Sequence, residues 1–418
     1  MAPRTAAGPA TNWAGNVTFT PETMRRPRSL QELQETVAGN ARVRAVGTGH
    51  SFNRIADTDG CQISLDRMPR FVRIDPQRRT ARVSAATTFA ELSARLQEHG
   101  FALPNLGSLP HISLAGACAT GTHGSGDTNA SIARSVRSID LVTADGEPTS
   151  LSRGDTGFDG AVLSIGALGV VTALELDLVP TFDVAQRVYT GLPWRSLLDR
   201  FDEVFAAAYS VSVFTDWYVG LQVWSKQRVG DDMEDFAGMG RPLEVARHPA
   251  PGLPAHTCTE QLGVPGPWHE RLPHFRAEFN PSTGAELQSE YYVARADAGA
   301  ALEAVRGVRQ YLAPALQASE IRTVAADSCW IGGSHQRPSV AIHFTWNQNH
   351  DAVWTAIGHV ERVLASFDPR PHWGKLSAIG PDRLERSYAR WHDFARLTER
   401  LDPDGTFRND LVDHYFPR

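Results

Sequence analysis

The sequence lacks long apolar runs and blocks of positive charge. No stretch approaches the ~20 apolar residues that a membrane-spanning helix needs, and the first residues contain no apolar signal-peptide core. No lysine- and arginine-rich run indicates a nucleic-acid surface, and the net charge of -6 is mild. We therefore expect neither nucleic acid nor a membrane among the partners of this protein.

Cysteine and lysine are also scarce. The four cysteines are widely spaced and form no CxxC pair, so reduced thiols in a cytoplasmic protein are expected. No HExxH motif and no Cys/His ligand spacing occurs, so no metal site is expected. Lysine is nearly absent while arginine and alanine are abundant, which is a compositional hint of a GC-rich bacterial genome.

The length of 418 residues favours two domains with mixed α+β structure. In the first 180 residues we expect short strands and two or three helices. Capping-box patterns at Ser29 and Thr88 predict two of these helices. The turn signals predict two hairpins, 71–75 with 80–85 and 138–143 with 148–151, and residues 171–179 alternate as a strand.

The second half predicts a sheet backed by helices. Residues 226–285 are rich in proline and glycine and are expected to be irregular. Strands are predicted over 286–293, 320–324 and 340–346, with helices over 302–312 and 353–364. A further helix is expected around Trp391 in the tail.

Glycine-rich segments at 45–53 (AVGTGHSFN), 104–126 and 166–171 are the clearest local signals. Glycines after a strand let backbone amides form a concavity for phosphate oxygens, and His50 adds a nucleophilic nitrogen there. This pattern predicts a cofactor that is gripped and covalently attached, although a plain glycine turn would look the same. Neither GxGxxG with its acidic partner nor GxxxxGK[ST] fits, which disfavours a Rossmann fold and a P-loop.

Polar residues recur on the predicted C-terminal strands. The period of two places Glu320 with Arg322, and His343 with Thr345, on single strand faces. Lys375 follows in the segment 370–375 (RPHWGK). Buried charges are costly unless paired or used, so these faces suit a neutral, polyhydroxylated substrate if they converge. A purely structural Glu320–Arg322 ion pair remains an alternative.

Taken together, the motifs resemble the vanillyl-alcohol oxidase family of covalent flavoproteins. The likeness includes the glycine segments and covers nearly the whole chain, excluding the tail and residues 226–250. It is strongest to family members that oxidise alditols, through the motifs 11–16 (TNWAGN), 109–113 (LPHIS), 284–291 (GAELQSEY), 320–327 (EIRTVAAD), 343–346 (HFTW) and 370–375 (RPHWGK).

The resemblance implies a two-domain fold, with an FAD-binding domain over 1–180, a substrate (cap) domain over 181–375 and a C-terminal segment, 376–418, that returns to the FAD domain. It implies FAD bound covalently through His50. The other cofactor-binding residues that it implies are Ala45, Val46, Gly47, Thr48, Gly49, Ser51, Ser108, Ser113, Gly116, Thr120, Gly121, Thr122, His123, Val171 and His372.

The resemblance also implies an oxidase that converts the terminal primary alcohol of alditols such as xylitol and sorbitol to the aldose, with O2 reduced to H2O2. The substrate-binding residues that it implies are Ser108, Glu320, Arg322, Thr345 and Lys375. Catalysis is assigned to His343, Lys375 and Arg322, with His343 as the candidate base and Lys375 as its competitor. A monomer is expected.

Two alternatives remain open from the sequence. An aldonolactone oxidase or dehydrogenase of the gulonolactone type shares the flavin motif and the His-Trp-x-Lys ending, and a flavin or sugar carrier would need no turnover. Gly107 precedes Ser108 where alditol-oxidising relatives can carry alanine, and we expect it to leave the path of O2 open. The surroundings of Cys118 do not resemble a second attachment site, so a single covalent bond is expected.

Overall fold

The computed structural model describes residues 11–231, 240–279 and 285–418. Residues 232–239 and 280–284, which include part of the predicted irregular region and Gly284 of one motif, lie outside the described residues. The strands up to Pro180 are β1 (Thr23–Arg25), β2 (Val43–Ala45), β3 (Cys61–Ile63), β4 (Val72–Asp75), β5 (Thr80–Ser84), β6 (Phe101–Ala102), β7 (Val136–Val142), β8 (Pro148–Ser152), β9 (Val170–Asp177) and β10 (Val179–Pro180). The helices of this part are α1 (Leu30–Ala38), α2 (Phe89–Glu98), α3 (Leu114–Thr120) and α4 (Phe158–Val162).

The remaining described elements build the second half. Its strands are β11 (Asp183–Leu192), β12 (Ser210–Thr215), β13 (Leu221–Arg228), β14 (Arg241–Pro242), β15 (Pro265–Pro267), β16 (Leu287–Ala294), β17 (Leu316–Val324), β18 (Ser339–Trp346) and β19 (Arg370–Pro371). Its helices are α5 (Trp194–Asp199), α6 (Phe201–Ala206), α7 (Ala298–Gly307), α8 (Arg309–Leu312), α9 (His350–Leu364), α10 (Pro381–Ser387), α11 (Trp391–Leu401) and α12 (Asp410–Tyr415).

The N-terminal part contains a parallel sheet in the order β1-β3-β2 and an antiparallel sheet in the order β4-β5-β9-β7-β8. Both predicted hairpins are confirmed, as β4 with β5 and β7 with β8. The capping box at Thr88 is complete. Ser29 caps α1, but the Glu32 carboxylate accepts from the amide of Arg28 instead of closing a box on Ser29.

The strand predicted over 171–179 does not alternate cleanly. Its register against β7 slips between Asp140 and Leu141, which leaves Thr172 as an extra residue on β9. Such a bulge turns the side chains that follow it. The predicted alternation holds after the bulge, where Leu174, Leu176 and Leu178 are buried and Glu175 and Asp177 are partly exposed, while Ala173 beside the bulge is buried as well.

The second half is organised around a nine-stranded sheet in the order β14-β11-β13-β12-β17-β18-β16-β19, with β15 paired to β11. The three strands predicted in 286–346 are confirmed as β16, β17 and β18, of which β16 is shifted by one residue while β17 and β18 begin four residues and one residue before their predicted starts. The helix predicted over 302–312 is instead two helices, α7 and α8, because the backbone leaves the helical region at Val308. Helices α7 and α9 pack on each other, and α7 contacts β16.

The C-terminal segment contacts the N-terminal sheet. The Val43 amide donates to Thr406 O at 2.7 Å, and Arg44 donates to Phe407 O at 2.9 Å. Asn409 Nδ2 donates to Asp57 O at 2.9 Å. These bonds support the predicted return of the tail, while the domain boundaries at 180 and 375 stay a prediction.

Candidate active site

A cavity of about 670 Å³ lies between the glycine-rich segments and the large sheet. Its volume falls within the ~300–1,000 Å³ that is usual for ligand sites. Every residue predicted from the sequence to bind substrate or cofactor lines it, except Gly121. Gly121 has φ +77° and ends helix α3, where an added Cβ would lie 3.0 Å from Leu163 Cδ1. It therefore lies behind the cavity wall.

One end of the cavity is a cradle of backbone amides after strand β2. The amides of residues 47–51 donate to no group among the described residues. Gly49 has φ +72°, and a Cβ on Gly47 would lie 2.4 Å from Ser113 Oγ. Unpartnered amides that face a cavity are the donors that phosphate oxygens accept from. The residues present therefore fit the diphosphate of a dinucleotide such as FAD.

His50 stands at the end of this cradle. Its ring stacks on Trp13 with centroids 5.1 Å apart and planes 20° apart, and its Nδ1 lies 3.0 Å from Thr48 Oγ1. Burial, with His111 as a smaller contribution, lowers the pKa of His50 to about 4. The imidazole is consequently neutral at pH 7 and keeps a lone pair on one ring nitrogen.

The opposite wall is formed by one row of side chains across three strands of the large sheet. In the antiparallel register Glu320 on β17 pairs with His343 on β18, and His343 pairs with Glu290 on β16. Residues directly opposite each other on neighbouring strands project from the same face. Arg322 and Thr345 share that face because they lie two positions along their strands.

Glu290 is the anionic centre of this wall and is fully buried. Its carboxylate accepts from Arg322 Nη2 and, at 2.6 Å, from Lys375 Nζ, and it lies 3.2 Å from His123 Nε2. Burial disfavours the ionised form, but Arg322 and Lys375 outweigh that effect and hold the pKa of Glu290 well below its usual range. The ionised carboxylate fixes both cations at the cavity surface.

His343 is held between Lys375 and Thr345. Its Nδ1 lies 2.9 Å from Lys375 Nζ, and its Nε2 lies 3.1 Å from Thr345 Oγ1. Because an ammonium group can only donate, Nδ1 accepts and Nε2 carries the proton. Burial and the Lys375 charge lower the pKa of His343 to about 4, so the ring is neutral at pH 7.

Glu320 is anchored by His274, which also lines the cavity. His274 Nε2 lies 2.8 Å from Glu320 Oε1, while Arg322 Nε lies 3.6 Å from Glu320 Oε2. Burial opposes ionisation, but Arg322 and His274 outweigh it and lower the pKa of Glu320. The predicted Glu320–Arg322 pair is thus present, and both residues also line the cavity.

Glu290 and His274 are two residues of this wall that the sequence alone does not predict as site residues. The period-two rule that selected Glu320 and Arg322 would also have placed Gln288 and Glu290 on one strand face. No local signal marks His274, since it lies in the proline- and glycine-rich region that was expected to be irregular. His372, which the resemblance assigns to the cofactor, lines the cavity, and its Nδ1 accepts from the Gly374 amide at 3.1 Å.

The described residues hold no group of three or more histidine, cysteine, aspartate or glutamate side chains arranged to bind a metal ion. In the same part of the chain, no helix is both long enough and apolar enough to cross a membrane. All four cysteines are buried and unpaired. Burial raises the pKa of the Cys118 thiol to about 12.

Two family models match the chain. The model of the FAD binding domain matches residues 21–152, and that of D-arabinono-1,4-lactone oxidase matches residues 285–415. The first contains the amide cradle, and the second contains Glu290, His343 and Lys375. A flavin-binding region facing a charged sheet defines the class of protein: an FAD-dependent oxidoreductase.

Two relatives narrow this class of oxidoreductase. The alditol oxidase of a Streptomyces species is 52% identical over 412 residues, covering 96% of this chain and 99% of that protein. The L-gulono-1,4-lactone dehydrogenase of Mycobacterium tuberculosis is 29% identical, covering 96% and 97%. The chain belongs to the vanillyl-alcohol oxidase family of FAD-dependent oxidoreductases.

Solved structures show the same two-domain α+β fold at low sequence identity. Cholesterol oxidase from Brevibacterium sterolicum superposes with a TM-score of 0.77 at 14% identity, covering 98% of this chain and 96% of that one. Chitooligosaccharide oxidase superposes with a TM-score of 0.72 at 15% identity, covering 96% and 93%. The predicted fold class is thereby confirmed.

Proposed function

We propose that this protein is an alditol oxidase, which converts the terminal CH2OH of a sugar alcohol such as xylitol or sorbitol to an aldehyde while O2 becomes H2O2. The observation that carries this proposal is the buried row Glu320–His343–Glu290, with Arg322 and Lys375 at the cavity surface. Two carboxylates and two cations around a neutral imidazole suit a neutral ligand with several hydroxyls. The 52% identity to the Streptomyces enzyme supports the same substrate class.

The chain positions and polarises the reacting alcohol. FAD, which the amide cradle of residues 47–51 and His50 would hold, would supply the acceptor for the carbinol hydride and the route of its electrons to O2. Arg322 and Lys375 stabilise negative charge on the substrate oxygen as its proton leaves. Glu320, Ser108 and Thr345 bind the other hydroxyls, which fixes the terminal carbon in one orientation.

The geometry favours His343 as the base that takes the hydroxyl proton. Lys375 donates to both Glu290 Oε2 and His343 Nδ1, which is the pattern of a protonated amine. When Lys375 turns one of its protons towards the substrate oxygen, His343 Nδ1 becomes free to accept. Lys375 as the base is the competing assignment, and it requires a neutral amine, which the burial that lowers the pKa of Lys375 makes easier to reach.

We also propose that FAD is bonded covalently to His50. The neutral ring, its stacking on Trp13 and its place beside the amide cradle support this assignment. The buried Cys118 thiol, with its raised pKa, supports a single attachment. In a denaturing gel, the wild-type band should fluoresce under ultraviolet light, and a dark band would contradict the covalent bond.

Gly107 is assigned to oxygen access. It is buried, and an added Cβ would lie 3.0 Å from Thr122 Cγ2, a side chain of the cavity wall. An alanine at this position would require the Thr122 side chain to shift by a few tenths of an ångström. This tight packing beside the cavity wall supports the proposal that glycine keeps the access of O2 open.

An aldonolactone oxidase or dehydrogenase is the second candidate. The match of residues 285–415 to the D-arabinono-1,4-lactone oxidase model and the likeness to the M. tuberculosis L-gulono-1,4-lactone dehydrogenase favour it. Both readings use the same cavity and differ in whether the ligand is an open polyol or a lactone ring.

An anaerobic reduction screen separates the candidates. The purified flavoprotein is mixed with xylitol, sorbitol, glycerol and L-gulono-1,4-lactone, and bleaching of the flavin absorbance is followed. Bleaching by polyols, followed by peroxide release on admitting air, is the expected result. Bleaching by the lactone alone would establish the second candidate, and no bleaching by any compound would favour a carrier without turnover.

We also propose that the protein is a monomer in the bacterial cytoplasm and that it binds neither a membrane nor nucleic acid. Light scattering of the purified protein tests the oligomeric state. Fractionation of the producing cells, with a periplasmic marker as control, tests the location.

A further inference from the structure

Lys226 is a buried cation that the proposed reaction does not use. The chain contains two lysines, Lys226 and Lys375. Lys375 lines the cavity, whereas Lys226 lies behind its wall on β13 and is 1% exposed. Burying an ammonium group is costly unless each proton finds an acceptor, so the surroundings of Lys226 need an explanation.

The three protons of Lys226 have three acceptors. Lys226 Nζ donates to Leu272 O, to Pro273 O at 3.2 Å and to His274 Nδ1 at 3.2 Å. Since Nδ1 of His274 accepts, the neutral ring carries its proton on Nε2. That proton is donated to Glu320 Oε1 at 2.8 Å. A continuous chain thus runs from Lys226 through His274 to Glu320.

Aromatic packing fixes the plane of the His274 ring. Phe214 meets it with centroids 5.3 Å apart and planes 70° apart, and Trp224 meets it at 5.4 Å and 85°. Phe214 also pairs with Glu320 in the register of β12 with β17. The donor therefore reaches Glu320 from a fixed direction and occupies one of its two oxygens.

We propose that Lys226 and His274 are positioning residues that orient Glu320, so that its second oxygen, Oε2, is presented to a substrate hydroxyl other than the reacting one. Lys226 and the Glu320 carboxylate favour the same ring tautomer, and His274 holds Glu320 through a directed hydrogen bond. This inference rests on the proposed function in that Glu320 is taken to bind an alditol. Burial lowers the pKa of Lys226 to about 7, and the Glu320 charge counteracts that shift, in keeping with electrostatic coupling along the chain.

Variants of His274 test the transmitting bond. His274→Phe keeps a ring without a donor, whereas His274→Gln places an amide N–H near the position of Nε2. For xylitol, His274→Phe should lower kcat/KM roughly 10–100-fold, mostly through KM, because a charge-assisted bond to Glu320 is lost. His274→Gln should recover part of the loss. In a Glu320→Ala background, His274→Phe should have little further effect on kcat/KM, since the carboxylate that His274 orients is absent.

Variants of Lys226 test its hydrogen bond to His274 Nδ1. Lys226→Met should raise KM in the same direction, and nitrogen NMR shifts of the His274 ring should show that Nδ1 is no longer a hydrogen-bond acceptor from an ammonium. Arg271→Met is the matched control, because Arg271 also donates to loop carbonyls, those of Val264, Glu270 and Pro265, without a bond to His274 or Glu320. It should affect stability without raising KM.

Several results would overturn the inference. These are a change in kcat/KM of less than about twofold in His274→Phe, an equal loss with and without Glu320, an activity of His274→Gln no higher than that of His274→Phe, or an unchanged Nδ1 shift of His274 in Lys226→Met. The NMR measurement needs no substrate. If the wild-type protein oxidised no polyol, the proposed function would fail, while the Nδ1 shift would still decide whether Lys226 donates to His274.

Discussion

Replacing Glu290 with glutamine should both destabilise the protein and disorganise its cavity. Glu290 is fully buried and is the shared acceptor of Arg322 and Lys375. Glutamine keeps the shape but has one accepting oxygen, and its amide protons would face a cation. Removing one partner of a buried ion pair costs about 3–5 kcal/mol, because the remaining charge stays desolvated.

This loss of unfolding free energy can be expressed as a decrease in melting temperature. At ~2.1 cal/mol/K of unfolding entropy per residue, a chain of 418 residues has about 0.9 kcal/mol/K. The Glu290→Gln protein should therefore melt about 3–6 °C below the wild type, as measured by calorimetry. The rate of flavin reduction by xylitol should fall roughly 10–100-fold, since Lys375 and Arg322 lose the anion that holds them in place.

Glu361→Gln provides the matched control for this substitution. Glu361 is also a buried carboxylate, but it accepts from the Tyr291 hydroxyl, the Ser377 hydroxyl and the Ala378 amide rather than from cations. Burial raises the pKa of Glu361, so a neutral amide is a closer replacement there. Equal losses of stability and rate in the two variants would refute the reasoning, because the cationic partners would then have made no difference.

Three further predictions follow from the site. His50→Ala should release all of its FAD in denaturant, measured as flavin in the filtrate, and retention of colour by the unfolded chain would exclude His50 as the attachment point. Because burial and Lys375 lower the pKa of His343 to about 4, the ring stays neutral as pH falls through 6.5, and it gains a proton only near pH 4. At saturating xylitol, stopped-flow reduction rates should accordingly be flat from about pH 8 to pH 5, since Lys226, whose pKa burial lowers to about 7, acts on KM, and an inflection near pH 6.5 would contradict a neutral His343 as the base. Gly107→Ala should slow reoxidation of the reduced enzyme by O2 while anaerobic reduction by xylitol changes less, and equal reoxidation rates would remove Gly107 from the oxygen path.

The sequence predicted those parts of the fold that depend on local patterns. Thr88 and Glu91 form the expected capping box, and the turn residues between β4 and β5 and between β7 and β8 mark their hairpins. The bulge at Thr172 was not predictable, because it arises from pairing with β7 rather than from the sequence of β9.

The site shows the same division between local and long-range information. The two-residue spacing of Glu320 and Arg322 predicted that they share one strand face, and the family resemblance implied their role in binding the substrate. The position of Glu290 depends on β16 pairing with β18, and that of His274 on a segment whose composition predicts only loops. No sequence pattern predicted that Lys226, a residue of β13, lies behind Glu320.

The pairing of the large sheet also determines when a folding chain can acquire its pocket. Glu320 lies on a strand flanked by β12, about a hundred residues earlier in the chain, and by β18, which follows it. Closing such long loops is slow, because their entropy is lost before any contact rewards it. A nascent chain can thus form the charged wall from β16, β17 and β18, which lie within residues 287–346, but it has no closed cavity until the distant amide cradle of residues 47–51 joins it.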